Sequence, residues 1–121
     1  FPYVPTAEGG FTAESGGLAM HHLLVEHPDL DAVFVANDLM AQGAMYTLYS
    51  YGKSVPDDVA VVGFDDSSPA LACRPLLTTV RQPVEDMAAA MADLLLESLE
   101  KPGQRPRSVI FEPELVVRGS A

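Results

Sequence analysis

The chain has 121 residues, is 48% hydrophobic and carries a formal net charge of -10. Its length fits one domain or less, and its apolar content is enough for a core. Lys and Arg total only 7 against 17 acids and nowhere cluster, which argues against a nucleic-acid surface, because phosphates are met by grouped cations.

Phe1-Pro2-Tyr3-Val4-Pro5 reads as the tail of a strand, kept from a central position by its prolines. Gly9-Gly10 makes a turn. Thr12 then caps a helix to about Glu26 that carries Leu18, Ala19, His22 and Leu23 on its apolar face. Asp31-Ala32-Val33-Phe34-Val35-Ala36 is a strand running into Asn37-Asp38, the cap of a second helix that ends before Gly52. Val59-Ala60-Val61-Val62-Gly63-Phe64 repeats the pattern and runs into Asp65-Asp66, followed by a loop and a short helix bounded by Pro69 and Pro75. Leu77-Thr78-Thr79-Val80 is a third strand, running into Arg81-Gln82-Pro83. Pro83 opens a long helix with an apolar stripe of Val84, Met87, Ala88, Met91, Leu95 and Leu99. Short strands at 108–111 and 114–117 are separated by the stiff Glu112-Pro113 link.

Apolar strands alternating with helices predict an α/β fold whose parallel sheet is buried on both faces. All carboxyl ends of such a sheet share one edge, so Asn37, Asp65 and Gln82 are expected to converge there. Helix amino termini point at that edge, and ligands bind in its crevice. A small-molecule site built from hydrogen-bonding groups follows.

Three segments taken in order carry a resemblance: Ala36-Asn37-Asp38-Leu39-Met40-Ala41 with Gly43-Ala44, then Val55-Pro56-Asp57-Asp58-Val59-Ala60-Val61-Val62-Gly63-Phe64-Asp65-Asp66, then Leu77-Thr78-Thr79-Val80-Arg81-Gln82-Pro83. They resemble the effector-binding core of bacterial transcription regulators of the lactose/galactose-repressor (LacI/GalR) type. Glu114-Leu115-Val116-Val117-Arg118-Gly119-Ser120 resembles that family's carboxyl-terminal signature. The resemblance implies a Rossmann-like parallel sheet flanked by helices, in a periplasmic-binding-protein-like (type I) effector-binding domain of which this chain is a fragment. Phe1 in place of an initiator Met points the same way. Residues 1–83 would form the carboxyl-terminal subdomain, 84–112 would cross the hinge to a mostly absent amino-terminal subdomain, and 113–121 would be the returning strand and tail.

The same resemblance implies a sugar or nucleoside effector. Phe11 would stack on its ring, while Asn37, Asp65 and Gln82 would meet its polar groups. Each has a plainer reading. Phe11 can be a hydrophobic staple for the first helix. Asn37 can be a helix cap, although Asp38 could cap in its place. Asp65 can be a turn residue with Asp66 as the next cap, and Gln82 can bond crossing-strand backbone. Thr12 and Ser15 read as local caps.

Residues 39–51 hold no charge; Gln42, Thr47 and Ser50 supply their polar stripe, with Tyr46 and Tyr49 beside it. Such a surface suits a protein interface or a helix buried in its own domain. The family resemblance places this helix and Leu71-Ala72-Cys73 at a homodimer interface, with Cys73 as packing.

His21, His22 and His27 have poor spacing for a metal, and no metal or cofactor is expected. One cysteine cannot form an internal disulfide or a Cys-based zinc site, which fits a reducing compartment. No nucleophile elbow, P-loop or dinucleotide fingerprint occurs, so no catalytic residues are assigned and an enzyme is not expected. Neither a membrane span of ~20 apolar residues nor a signal peptide is evident. The expected protein is therefore cytoplasmic and meets DNA only through a helix-turn-helix absent from this chain. A periplasmic sugar-binding protein of an uptake system is the other reading, separable by a signal peptide rather than a helix-turn-helix at the start of the gene.

Overall fold

In the computed structural model, which describes residues 4–105 and 107–121, Thr12 opens the first helix with a reciprocal cap. The Thr12 hydroxyl accepts from the Ser15 amide and the Ser15 hydroxyl from the Thr12 amide, both at 3.1 Å. The elements in chain order are α1 (Ala13–Glu26), β1 (Ala32–Phe34), α2 (Asp38–Ser50), β2 (Ala60–Phe64), α3 (Ser68–Ala72), β3 (Thr78–Arg81), α4 (Val84–Glu100) and β4 (Glu114–Val116). Phe1, Pro2 and Tyr3 of the expected first strand lie outside the described residues, and Val4 and Pro5 are irregular. Residues 108–111, expected as a strand, are also irregular.

The strands lie in the order β1-β2-β3-β4. β2 pairs in parallel with both neighbours, placing Phe34 opposite Val62 and Phe64 opposite Val80. Residues 1–81 with 115–121 form one unit and residues 82–114 another. In the second unit α4 buries none of its residues, leaving Met91, Leu95 and Leu99 exposed, and Glu97 pairs with Arg107 at 3.0 Å.

The core of the first unit is built from Met20, Met45, Leu48, Val59, Val61 and Leu77, all buried. Each such side chain contributes roughly 1.5–3 kcal/mol relative to exposure. The face that α1 buries differs from the expected one: Gly16, Met20 and Leu24 are inside, Ala19 and Leu23 are half-buried, and Leu18 and His22 are exposed. Two glycines decide this. A Cβ on Gly16 would lie 2.2 Å from the Met40 carbonyl oxygen, and one on Gly43 would lie 1.8 Å from the Ala13 carbonyl oxygen. The two helix backbones therefore touch, and this contact rather than the largest side chains sets the rotation of α1.

The sheet is not buried on both faces. Val61 and Gly63 of β2 are buried, whereas Ala60, Val62 and Phe64 are half-buried and Phe34 of β1 is 64% exposed. Side chains alternate along a strand, so these residues share the second face, where Phe34 meets Phe64 edge-on with centroids 6.4 Å apart. An apolar run reads the same whether one or two layers cover it.

The last turn of the first unit stitches two strands. Ser120 is fully buried; its hydroxyl donates to the Val61 carbonyl at 2.6 Å and accepts from the Thr78 amide at 2.8 Å.

Candidate functional site

Asn37 and Asp65 each stand three residues beyond the registered pair Phe34 and Val62, past the carboxyl ends of adjacent parallel strands. The chain turns differently at the two places. Asn37 keeps extended backbone (φ -155°), and its Oδ1 accepts from the Met40 amide at 2.8 Å. That cap leaves the two Nδ2 donors for other use. Asp38 does not cap in its place. It is fully buried: Oδ2 accepts from the Ser67 amide at 2.6 Å and hydroxyl at 2.9 Å, and Oδ1 accepts from the Thr79 hydroxyl at 2.6 Å. Gly63 makes room for this carboxylate, since a Cβ there would lie 2.5 Å from Oδ1.

Beyond β2 the chain takes two left-handed steps, at Asp65 (φ 102°) and Asp66 (φ 53°). Each costs about 1–3 kcal/mol for a non-glycine and persists only where surrounding contacts enforce it. The enforcing contacts are visible. The Asp65 amide donates to the Val80 carbonyl at 2.9 Å. Asp66 is not a helix cap, because Ser67 holds that position; its carboxylate meets Arg118 at 2.6 Å and Arg81 at 2.7 Å. Arg118 is itself mostly buried and also donates to the Leu77 carbonyl at 2.9 Å. Burial pushes the Asp66 carboxyl up, but the hydrogen bonds and charges of the two guanidiniums outweigh it and hold the group below the usual carboxylate range. The Asp65 side chain is exposed at the edge.

Phe11 is 70% exposed and left-handed (φ 63°). The staple reading has no packing partner, because the fourth residue of α1 is Gly16. With Ala36 and Met40, Phe11 instead lines a cavity of about 210 Å³ beside the end of β1. Gln82 is half-buried and begins the second unit.

On the outside of α2, Tyr46 is 75% and Tyr49 47% exposed, with Gln42 half-buried beside them. The Tyr49 hydroxyl donates to the Arg74 carbonyl. Leu71 of α3 is exposed, whereas Cys73 is buried, with its thiol on the Pro69 carbonyl at 3.3 Å. Cys73 therefore packs inside the unit and offers no surface to an interface. Burial, then the nearby Asp38 charge, pushes its thiol pKa up.

Spacing alone did not single out Asp38, Thr79 or Arg118 as builders of this edge. The one available signal was an acid placed directly after the cap residue, at the start of a helix whose next face is apolar. Among the described residues no group of His, Cys, Asp and Glu could hold a metal ion, and no helix is long and apolar enough to cross a membrane.

An amide, a carboxylate and an aromatic ring stand near the carboxyl ends of a parallel sheet, the edge at which open α/β domains hold small molecules. The periplasmic binding protein-like domain family matches residues 2–121. The transcriptional regulator CelR of Thermobifida fusca is 46% identical over 112 residues, 93% of this chain and 33% of that protein. The probable repressor ExuR of Bacillus subtilis (strain 168) is 37% identical over 115 residues, 95% of this chain and 34% of its own length. The solved CelR–cellobiose complex superposes with a TM-score of 0.89 at 45% identity, covering 93% of this chain and 35% of that one. A LacI family regulator from Arthrobacter sp. FB24 in complex with lactose gives 0.80 at 33% identity over 94% of this chain and 43% of its own. The chain belongs to the periplasmic binding protein-like domain family, and the relatives it matches are transcriptional regulators. It spans about a third of the length of the curated relatives it matches.

Proposed function

We propose that this chain is the effector-binding and dimerisation part of a DNA-binding transcriptional regulator whose effector is a carbohydrate. The observation that carries the reading is that Asn37 and Asp65 both follow the carboxyl ends of the adjacent parallel strands β1 and β2. An exposed carboxylate accepts from vicinal hydroxyls, and an amide with free donors meets the remaining oxygens. Phe11 offers a flat apolar face for a pyranose ring, and Gln82, next in sequence after β3, adds a polar group. The solved relatives holding cellobiose and lactose support a sugar over a nucleoside.

In this reading residues 84–112 cross a hinge into a partner subdomain and 113–121 return from it. Effector bound between the subdomains favours one closure state, and that preference is passed to a helix-turn-helix headpiece outside this chain. No chemistry is done on the ligand. The relatives are HTH-type regulators, which supports a cytoplasmic regulator over an uptake protein. A second copy docks on the uncharged outer face of α2 and on α3, through Gln42, Tyr46, Tyr49 and Leu71. Thermal shift of the full-length protein with cellobiose, lactose and nucleosides tests the effector class. A ligand at 100 times its Kd adds roughly 2.7 kcal/mol, so a disaccharide should raise Tm clearly. Stabilisation by nucleosides alone would overturn the sugar.

A further inference from the structure

Asp38 is fully buried, and among the described residues its partners are hydroxyls and an amide, with no cation. Burying a carboxylate without a counter-charge is costly, so a fold that keeps one needs its geometry. That geometry is a bridge. One oxygen takes both donors of Ser67, the residue that follows the left-handed Asp65-Asp66 pair. The other takes the Thr79 hydroxyl, whose oxygen in turn accepts from the Asp66 amide at 3.4 Å. Because Thr79 donates towards Asp38, a lone pair of its hydroxyl is left facing that amide. Asp38 is also the first residue of α2, directly after Asn37.

We infer that Asp38 is a positioning residue for effector recognition: it ties Asn37 and the start of α2 to the Asp65-Asp66-Ser67 turn through Ser67 and Thr79, holding the two recognition groups at one spacing. The inference rests on the effector reading of the same edge. Asp38 touches no ligand; it acts through Asp65. An Asn in its place keeps the volume and the acceptor for Ser67, but it turns an amide donor on the Thr79 hydroxyl. That hydroxyl must then turn its proton away and loses the charged acceptor that fixes its lone pair on the Asp66 amide, so the 3.4 Å bond to that amide loosens.

The test uses the full-length protein with Asp38→Asn and, as a second variant that keeps side-chain shape, Thr79→Val. Hydrogen exchange at the Asp66 and Ser67 amides should quicken by about tenfold in Asp38→Asn, while amides in the middle of α2 stay within about twofold. Thr79→Val should quicken the Asp66 amide alike. Calorimetry with cellobiose should show affinity falling about tenfold, with little further loss when Asp38→Asn is added to Asp65→Asn, as expected for two residues acting through one contact. Unchanged exchange at the turn, or equal quickening along α2, would overturn the positioning role, and so would additive affinity losses. If the unaltered protein ignores cellobiose, calorimetry moves to whichever sugar raises Tm, and if none does the carbohydrate reading fails while the exchange measurement still decides whether Asp38 holds the turn.

Discussion

The segments that follow β1 and β2 lie on the same carboxyl edge of the sheet and are built by different physics. At the end of β1, Asn37 sits on extended backbone and is fixed by one bond to an amide three residues away. At the end of β2, Asp65 sits in a left-handed pair that local sequence disfavours. It is held by Asp38, 29 residues from Ser67, and by Arg118, 52 residues from Asp66. A locally capped group is cheap and forgiving. A group held by distant contacts is strained, and its placement fails when any one contact is lost.

The largest effect should come from the distant brace. Arg118→Met leaves Asp66 nearly buried with only the half-exposed Arg81, and should cost about 2–3 kcal/mol of stability by denaturant unfolding. The same pair sets an acid limit. The folded Asp66 carboxyl lies below its ordinary 3.8, so its contribution is fully present above that value and is lost as pH falls through the lower folded value. In Arg118→Met the acid-side fall in Tm should shrink; an unchanged profile would mean the brace carries no such linkage.

Asp65→Gly pulls stability and binding apart. Glycine accepts the 102° φ without strain, so Tm should rise by the equivalent of about 0.5–1 kcal/mol while effector affinity drops by about 2 kcal/mol or more. Lower stability in this variant would show that the loop is not strained. Asn37→Ala, at the local end, should cost about 1 kcal/mol of stability through its cap and alter discrimination among sugars differing in one hydroxyl. Calorimetry with cellobiose and lactose reads the second effect, and equal losses for both sugars would count against it. Smallest should be the stability change in Phe11→Ala, which removes a ring that is 70% exposed. It should weaken every ring-shaped effector while moving Tm by less than about 0.5 kcal/mol equivalent, and undiminished affinity would end the stacking role.

What could be read in the sequence follows the same division. Thr12 and Asn37 announce their helices because capping acts over three residues, and the apolar runs give the parallel strands and their order of turns. The rotation of α1 was hidden because Gly16 and Gly43 act by what they lack, and a glycine at a helix crossing looks like any other. The exposure of Phe34 was hidden because a run of apolar residues does not say how many layers cover it. Cys73 was expected to pack at an interface between copies and is instead buried within its own unit, against Pro69 of α3. At the edge, the transitions from apolar run to Asn or Asp marked the positions; the left-handed turn and its brace were unreadable because they depend on residues 13 to 52 positions away.

Ribosomal synthesis gives the Arg118 brace a temporal meaning. The turn at Asp66 is made 52 residues before its guanidinium partner, and Ser120, which sews Val61 to Thr78, is later still. At roughly 5–20 residues per second the nascent segment waits on the order of 3–10 s without the partner that holds the left-handed turn. Helix caps close as they emerge; the carboxyl edge of the sheet closes only when translation has passed Arg118, so an interrupted translation product can carry every residue of that edge and still lack its shape.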